Sequence, residues 1–140
     1  MNRKTLLVTV GLPRSGKSTW ATGLSCPMVN PDSIRLSMHG QRYATLAEPL
    51  VWAIAKIMVR ALFMAGHTTV VLDATNTTKK RRDEWIDPQW TTWFKCIPTS
   101  PTICINRARE AGDTEIIPII EKMYMQSEPL TEEEAQQEWL

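Results

Sequence analysis

A three-layer α/β fold, with a mainly parallel sheet flanked by helices, is what this chain predicts, and two observations carry that expectation. Short apolar, β-branched runs alternate along it with longer segments of helical composition. Strands separated by helices must be joined by crossovers and therefore pair in parallel. The first run, residues 4–10, also leads straight into a glycine-bearing loop and a helix start. At 140 residues and 43% hydrophobic composition, the chain is long enough to fold as one domain, 1–140, around its own core.

The elements follow in order. Residues 4–10 read as a buried strand, and Ser18 opens a helix reaching about residue 25. Residues 28–30 are a short second strand. Pro31-Asp32-Ser33 then starts a helix that fades near Gly40. Residues 46–65 form a long, mostly apolar helix with Pro49 in its first turn and Gly66 at its end. Residues 68–72 are a strong buried strand that delivers Asp73. A charged helix is expected over 78–86, a strand over 91–97, and two helical pieces over 101–111 and 115–127 around Gly112. Thr131 and Glu134 have capping-box spacing and open a last short helix. Ligand chemistry in such a fold gathers at the carboxyl ends of the strands, where Gly11, Asp32 and Asp73 fall.

Composition excludes several function classes. The net charge is +1, so affinity for nucleic acid must come from a local patch. Cys26, Cys96 and Cys104 have no C-x-x-C spacing, so neither a disulfide framework nor a zinc site is indicated. The longest apolar stretch, 46–66, is interrupted by Glu48, Lys56 and Arg60, which argues against a membrane span. A soluble cytoplasmic protein without a membrane partner is expected. The tail Trp139-Leu140 permits self-association without requiring it, which leaves the oligomeric state open.

The loop reads Gly11-Leu-Pro13-Arg14-Ser15-Gly16-Lys17-Ser18-Thr19 and matches G-x-x-x-x-G-K-[ST], the phosphate-cradling P-loop. Strand, loop and helix start together aim successive backbone N–H groups at an anion. A P-loop NTPase fold with ATP and Mg²⁺ is the consequent expectation. Residues 11 and 13–19 would hold ATP, Lys17 would reach the β/γ-phosphates, and Ser18 would ligate the metal. Asp73 closes an apolar strand, where a carboxylate can serve the same ion; the plainer alternative is a helix-capping aspartate.

Asp32 lies just past the second strand with Arg35 one helical turn on. Phosphoryl transfer to an alcohol needs a carboxylate that accepts the hydroxyl proton, and Arg35 would grip an acceptor phosphate. The alternative is an N-cap aspartate in an ordinary ion pair. Lys79-Lys80-Arg81-Arg82 puts four cations in the first turn of a helix, against its dipole. An acceptor phosphate would offset that repulsion; otherwise the turn is a solvated basic face. Arg107 and Arg109 sit in a late helix-and-turn segment, 101–117, of the kind that forms a small helical lid in small P-loop kinases, where its arginines neutralise transition-state charge; the plainer alternative is an ordinary exposed arginine pair. Trp20, Trp52 and Trp85 lie in helices and are expected in the core. His39 and His67 have no partner at metal-ligand spacing.

Gly11-x-Pro13-x-Ser15-Gly16-Lys17-Ser18-Thr19, Asn30-x-Asp32-x-x-Arg35 and Asp73-Ala-Thr75-Asn76 with Arg81-Arg82-x-x-Trp85 resemble, in that order, the kinase domain of phage-type polynucleotide 5′-kinases. The resemblance spans residues 4–124. It implies an ATP-dependent kinase acting on the 5′-hydroxyl of DNA or RNA, with Asp32 as general base and Lys17 and Arg107 at the transferred group. It also implies Asp32, Arg35, Thr75, Asn76, Arg81 and Arg82 at the acceptor, and Arg107 with Arg109 over the ATP phosphates. Ala111 stands where a second lid arginine is expected. Arg14 replaces a usual glycine, and Pro31 a usual basic residue. Those changes leave room for other acceptors: hydroxymethyl groups of modified pyrimidines in phage DNA, or a small metabolite. A non-catalytic nucleotide-binding module is the reading from a different class.

Overall fold

A computed structural model describes residues 3–42 and 47–140. Four parallel strands, β1 (Thr5–Val10), β2 (Met28–Val29), β3 (Thr69–Leu72) and β4 (Thr91–Cys96), form one sheet in the order β2-β3-β1-β4. The helices are α1 (Lys17–Thr22), α2 (Pro31–His39), α3 (Glu48–Met64), α4 (Lys79–Asp83), α5 (Pro101–Glu110), α6 (Ile117–Gln126) and α7 (Glu132–Ala135). A 3₁₀ turn at Thr114–Ile116 precedes α6. The sequence-predicted start of the third helix, Leu46, lies outside the described residues.

Strand periodicity divides the core. Leu6 and Val8 of β1 join Val70, Leu72 and Phe94 on the face that packs α3 through Val51, Ala55, Val59 and Phe63. Leu7, between them in sequence, points to the opposite face, where Val71 and Ala21 of α1 meet it. Leu12, Cys104, Ala108, Ile116 and Ile120 close a separate cluster under the loop after β1. The result is the three-layer α/β fold expected, a parallel sheet flanked by helices.

Two predicted helices are altered. The helix expected over 78–86 stops at Asp83, where Trp85 N and Ile86 N bond the Arg82 and Asp83 carbonyls three residues back, at 3.0 and 3.2 Å, and Pro88 follows. The piece expected over 115–127 breaks into a 3₁₀ turn and α6, with Pro118 in the first turn of α6; proline cannot donate the bond that would make the two continuous. The edge of β4 is covered by the carboxyl-terminal residues: Phe94 N donates to the Gln137 carbonyl at 2.8 Å and Trp139 N to the Phe94 carbonyl at 2.7 Å. An exposed strand edge would template association.

Candidate functional site

The loop after β1 is built by sterics first. A Cβ on Gly11 would stand 2.9 Å from the Ile97 carbonyl oxygen and 2.9 Å from Ser15 Oγ. The carbonyl belongs to backbone tied to β1 by the bond from Ile97 N to the Val10 carbonyl, 2.8 Å. Gly11→Ala is therefore expected to cost about 1–3 kcal/mol, read as a lower urea midpoint at unchanged m-value. Arg14 and Gly16 both take left-handed backbone, φ 67° and 104°. Three carbonyls of the loop are held: Leu12 by Lys17 Nζ at 2.7 Å, Arg14 by Arg107 Nη1 at 3.0 Å, and Ser15 by Thr99 Oγ1 at 2.7 Å. Gly16, the N-cap of α1, provides no side-chain cap, which leaves the first N–H groups of the helix as donors for an anion.

Lys17 is buried, and burial pushes its ammonium below its ordinary pKa against the pull of Asp73 and Asp32. A bound polyphosphate would supply the counter-charge it lacks. Behind it, Ser18 Oγ donates to Asp73 Oδ2 at 2.6 Å, and Asn30 Nδ2 donates to the same oxygen at 3.0 Å. Asn30 also caps α2, its Oδ1 accepting from Asp32 N at 2.8 Å and Ser33 N at 3.3 Å. One side chain thus fixes Asp73 and the start of α2 together. A hydroxyl and a carboxylate beside a phosphate cradle suit Mg²⁺, which keeps several waters and takes its remaining oxygens from phosphate.

Arg35 joins two carboxylates. Its Nη1 donates to Asp32 Oδ1 at 2.7 Å, its Nε donates to both Glu48 oxygens at 3.1 Å, and its Nη2 donates to Glu48 Oε1. Burial alone would lower the guanidinium pKa; the bonds and charge of Glu48, with Asp32, raise it instead. Glu48 moves oppositely: burial pushes it up, and Arg35 more than reverses that. Asp32 keeps a half-exposed carboxylate. All of these residues line one cavity of about 1210 Å³, together with Pro13, Arg14, Ser15, Gly16, Thr19, Thr75 and Arg107. Ile116, Ile119 and Met123 give it an apolar wall from α6 and the turn before it.

A family model described as an AAA domain matches residues 6–110, well over half of the chain. The chain belongs to the AAA domain family. Among solved structures, this AAA domain is similar to a chain of the Pnkp1/Rnl/Hen1 complex, with TM-score 0.61 and 27% identity, over 76% of the present chain and 40% of that one. It spans less than half the length of that relative. It is also similar to a gluconokinase from Sinorhizobium meliloti 1021, with TM-score 0.58 and 16% identity, over 88% of this chain and 76% of that one; that likeness is one of fold. A comparison with curated proteins gave no match. The architecture is a P-loop kinase-like one.

Five sequence-predicted site residues do not line this cavity. Arg82 is fully buried and donates to Glu134 and to the carbonyls of Asn76, Glu128 and Pro129, so it has no N–H left to offer an acceptor. Asn76 is also buried; its Nδ2 donates to the Thr9 carbonyl at 2.9 Å, tying β1 to the loop that carries Asp73. Arg81 lies over the Trp52 ring at 3.9 Å and pairs with Glu84. Arg109 turns to Asn106 Oδ1 at 3.5 Å, while Ala111 lines the cavity. The cost of a basic helix start is met within the chain, since Lys79, Arg81 and Arg82 pair with Asp83, Glu84 and Glu134. Gly11 serves the turn beneath the cavity without lining it.

Sequence reasoning named no site role for Glu48 or Asp113, placed Trp52 in the core, and quoted Asn30 only as part of a motif. Asn30 was legible as a helix cap one residue before Pro31. Glu48 is distant from Arg35 in sequence, and Asp113 is 99 residues from its partner Arg14; no local spacing announces such pairs. No helix among the described residues is long and apolar enough to cross a membrane.

Proposed function

We propose that this AAA domain is an ATP- and Mg²⁺-dependent kinase that transfers the γ-phosphoryl group to an alcohol, with the 5′-hydroxyl end of DNA or RNA as acceptor. The observation that carries the reading is the common cavity: the Asp32 carboxylate, held by Arg35, opens into the same space as Lys17, Ser18 and Asp73. The acceptor oxygen forms the new P–O bond, the bond to ADP breaks, and the hydroxyl proton passes to Asp32. Lys17 and Arg107 offset the charge on the phosphoryl oxygens, so catalysis is chiefly positioning and electrostatics. Ser18 and Asp73 would hold Mg²⁺, which would supply positive charge to offset that of the phosphates. The motif Asn30-x-Asp32-x-x-Arg35 and the likeness to a chain of the Pnkp1/Rnl/Hen1 complex support a polynucleotide acceptor. In this reading residues 1–140 act as one domain, with 101–117 as a lid that brings Arg107 over the phosphates.

The test is label transfer from γ-labelled ATP with Mg²⁺ to 5′-hydroxyl and 5′-blocked oligonucleotides, with and without hydroxymethyl-pyrimidines. Label confined to free 5′ ends is the expected result. Internal label in blocked, modified DNA would move the acceptor to a base, and no label on any polynucleotide would overturn the proposal.

A further inference from the structure

In the loop after β1, Arg14 adopts left-handed backbone, φ 67°, which glycine takes freely and a Cβ resists. The held carbonyls of Leu12, Arg14 and Ser15 fix it there. Glycine would serve this backbone better, so the guanidinium is what the position keeps. Strain imposed by the surroundings in this way marks a side chain that the site uses.

Arg14 lines the cavity with Gly16, Lys17, Ser18 and Arg107, and its Nη2 pairs with Asp113 Oδ2 at 3.1 Å. Asp113 stands in the turn after α5, where its N–H donates to the Ala108 carbonyl at 2.9 Å, and it lines the same cavity. The Arg14 side chain is 36% exposed and that of Asp113 19%; a pair open to water contributes little. A phosphate carries more charge and matches the flat guanidinium fork, so it can take Arg14 from Asp113. Three other cations of the cavity have work elsewhere. Arg35 is shared between Asp32 and Glu48, Lys17 Nζ donates to the Leu12 carbonyl, and Arg107 Nη1 donates to the Arg14 carbonyl.

We infer that Arg14 is a further catalytic cation: its guanidinium leaves Asp113 for the γ-phosphoryl oxygens of bound ATP and holds them more strongly as transfer proceeds. The inference rests on the kinase reading. The bond from phosphorus to the acceptor oxygen forms and that to ADP breaks, while Arg14 keeps its protons and stabilises charge. Asp113 is a positioning residue, keeping the guanidinium beside the phosphate site until the nucleotide arrives.

The experiment compares wild type with Arg14→Gly, Arg14→Lys and Asp113→Asn. Titration with Mg²⁺ and either ADP or the non-hydrolysable β,γ-imido analogue of ATP gives affinities without turnover. In Arg14→Gly, loss of a charge-assisted contact should lower the ratio of triphosphate to ADP affinity at least about tenfold. The ratio compares two ligands on one variant, so a general loss of stability would not move it. In label transfer to a 5′-hydroxyl oligonucleotide, kcat should fall about 10²–10³-fold. Arg14→Lys, which keeps the charge without the fork, should recover part of both effects. Asp113→Asn should tighten the triphosphate by up to about fivefold relative to ADP, because the competing charge is gone. An unchanged affinity ratio in Arg14→Gly, or a kcat within a few-fold of wild type, would overturn the inference. Weaker triphosphate binding by Asp113→Asn would remove Asp113 as the competitor. If wild type labels no acceptor, the kinase reading fails instead, and the affinity ratio still decides whether Arg14 meets the γ-phosphate.

Discussion

Asp32→Ala is expected to lower kcat by about 10²–10⁴-fold while leaving ATP binding close to wild type. That loss corresponds to about 2.7–5.5 kcal/mol of transition-state stabilisation. The asymmetry follows from the geometry. Asp32 meets the loop that would hold ATP only across the cavity, and its direct partner is Arg35 at 2.7 Å. The phosphate cradle is built separately, from Gly16, Lys17 and the carbonyls that Lys17, Arg107 and Thr99 hold. Removing Asp32 would therefore take away the proposed proton acceptor without dismantling the cradle. Single-turnover label transfer gives the rate, and the rise in thermal midpoint with added ATP gives the binding. Asp32→Asn separates proton acceptance from mere shape, because the amide fits the site but cannot take the proton. Near-wild-type turnover of Asp32→Asn would remove Asp32 as the base. A matching loss of ATP-induced stabilisation would instead make it part of the nucleotide site.

The strands, their parallel pairing and the loop at the end of β1 were legible in the sequence because their signals are local. An apolar run, a glycine spacing and a proline at a helix start each act over a few residues. The same locality explains what was misread. Lys79 to Arg82 read either as four cations facing an external anion or as a solvated basic face; Asp83 and Glu84, at i,i+4 and i,i+3, are within local reach of Lys79 and Arg81, whereas Glu134, 52 residues from Arg82, is not. Asn76 and Arg82 followed the motif Asp73-Ala-Thr75-Asn76 into the candidate site on sequence order alone. The fold turns Thr75 to the cavity and Asn76 away from it, with Asn76 at φ 44°. Trp52 was expected in the core with Trp85. Trp85 is fully buried, while Trp52 packs partly buried against the same core and also lines the cavity.

Arg82→Ala is expected to destabilise the fold by about 3–5 kcal/mol, the cost of breaking a buried ion pair by removing one partner. Arg82 is 0% exposed. Its Nε and Nη2 donate to the two Glu134 oxygens at 2.8 and 3.2 Å, and its remaining donors reach three backbone carbonyls. Alanine would take the donor from Glu134 Oε2 and from the three carbonyls, leaving Glu134 Oε1 only its bond from Thr131 N. Because Glu134 also accepts from Thr131 N at 3.0 Å as half of a capping box, the damage should spread to α7 and the strand-edge cover that follows it. Burial would raise the Glu134 carboxyl, but the Arg82 hydrogen bonds reverse this and hold it below its ordinary 4.5. The sign follows: this stabilisation is fully present above that value and is lost as pH falls through the lower folded value. Urea midpoints at neutral pH should therefore differ widely between wild type and Arg82→Ala, and the gap should narrow in acid as Glu134 becomes protonated. A neutral-pH difference below about 1 kcal/mol, the range of an exposed pair, would show that Arg82 is not a buried tie. Its guanidinium would then have to be reconsidered as a contact for the acceptor.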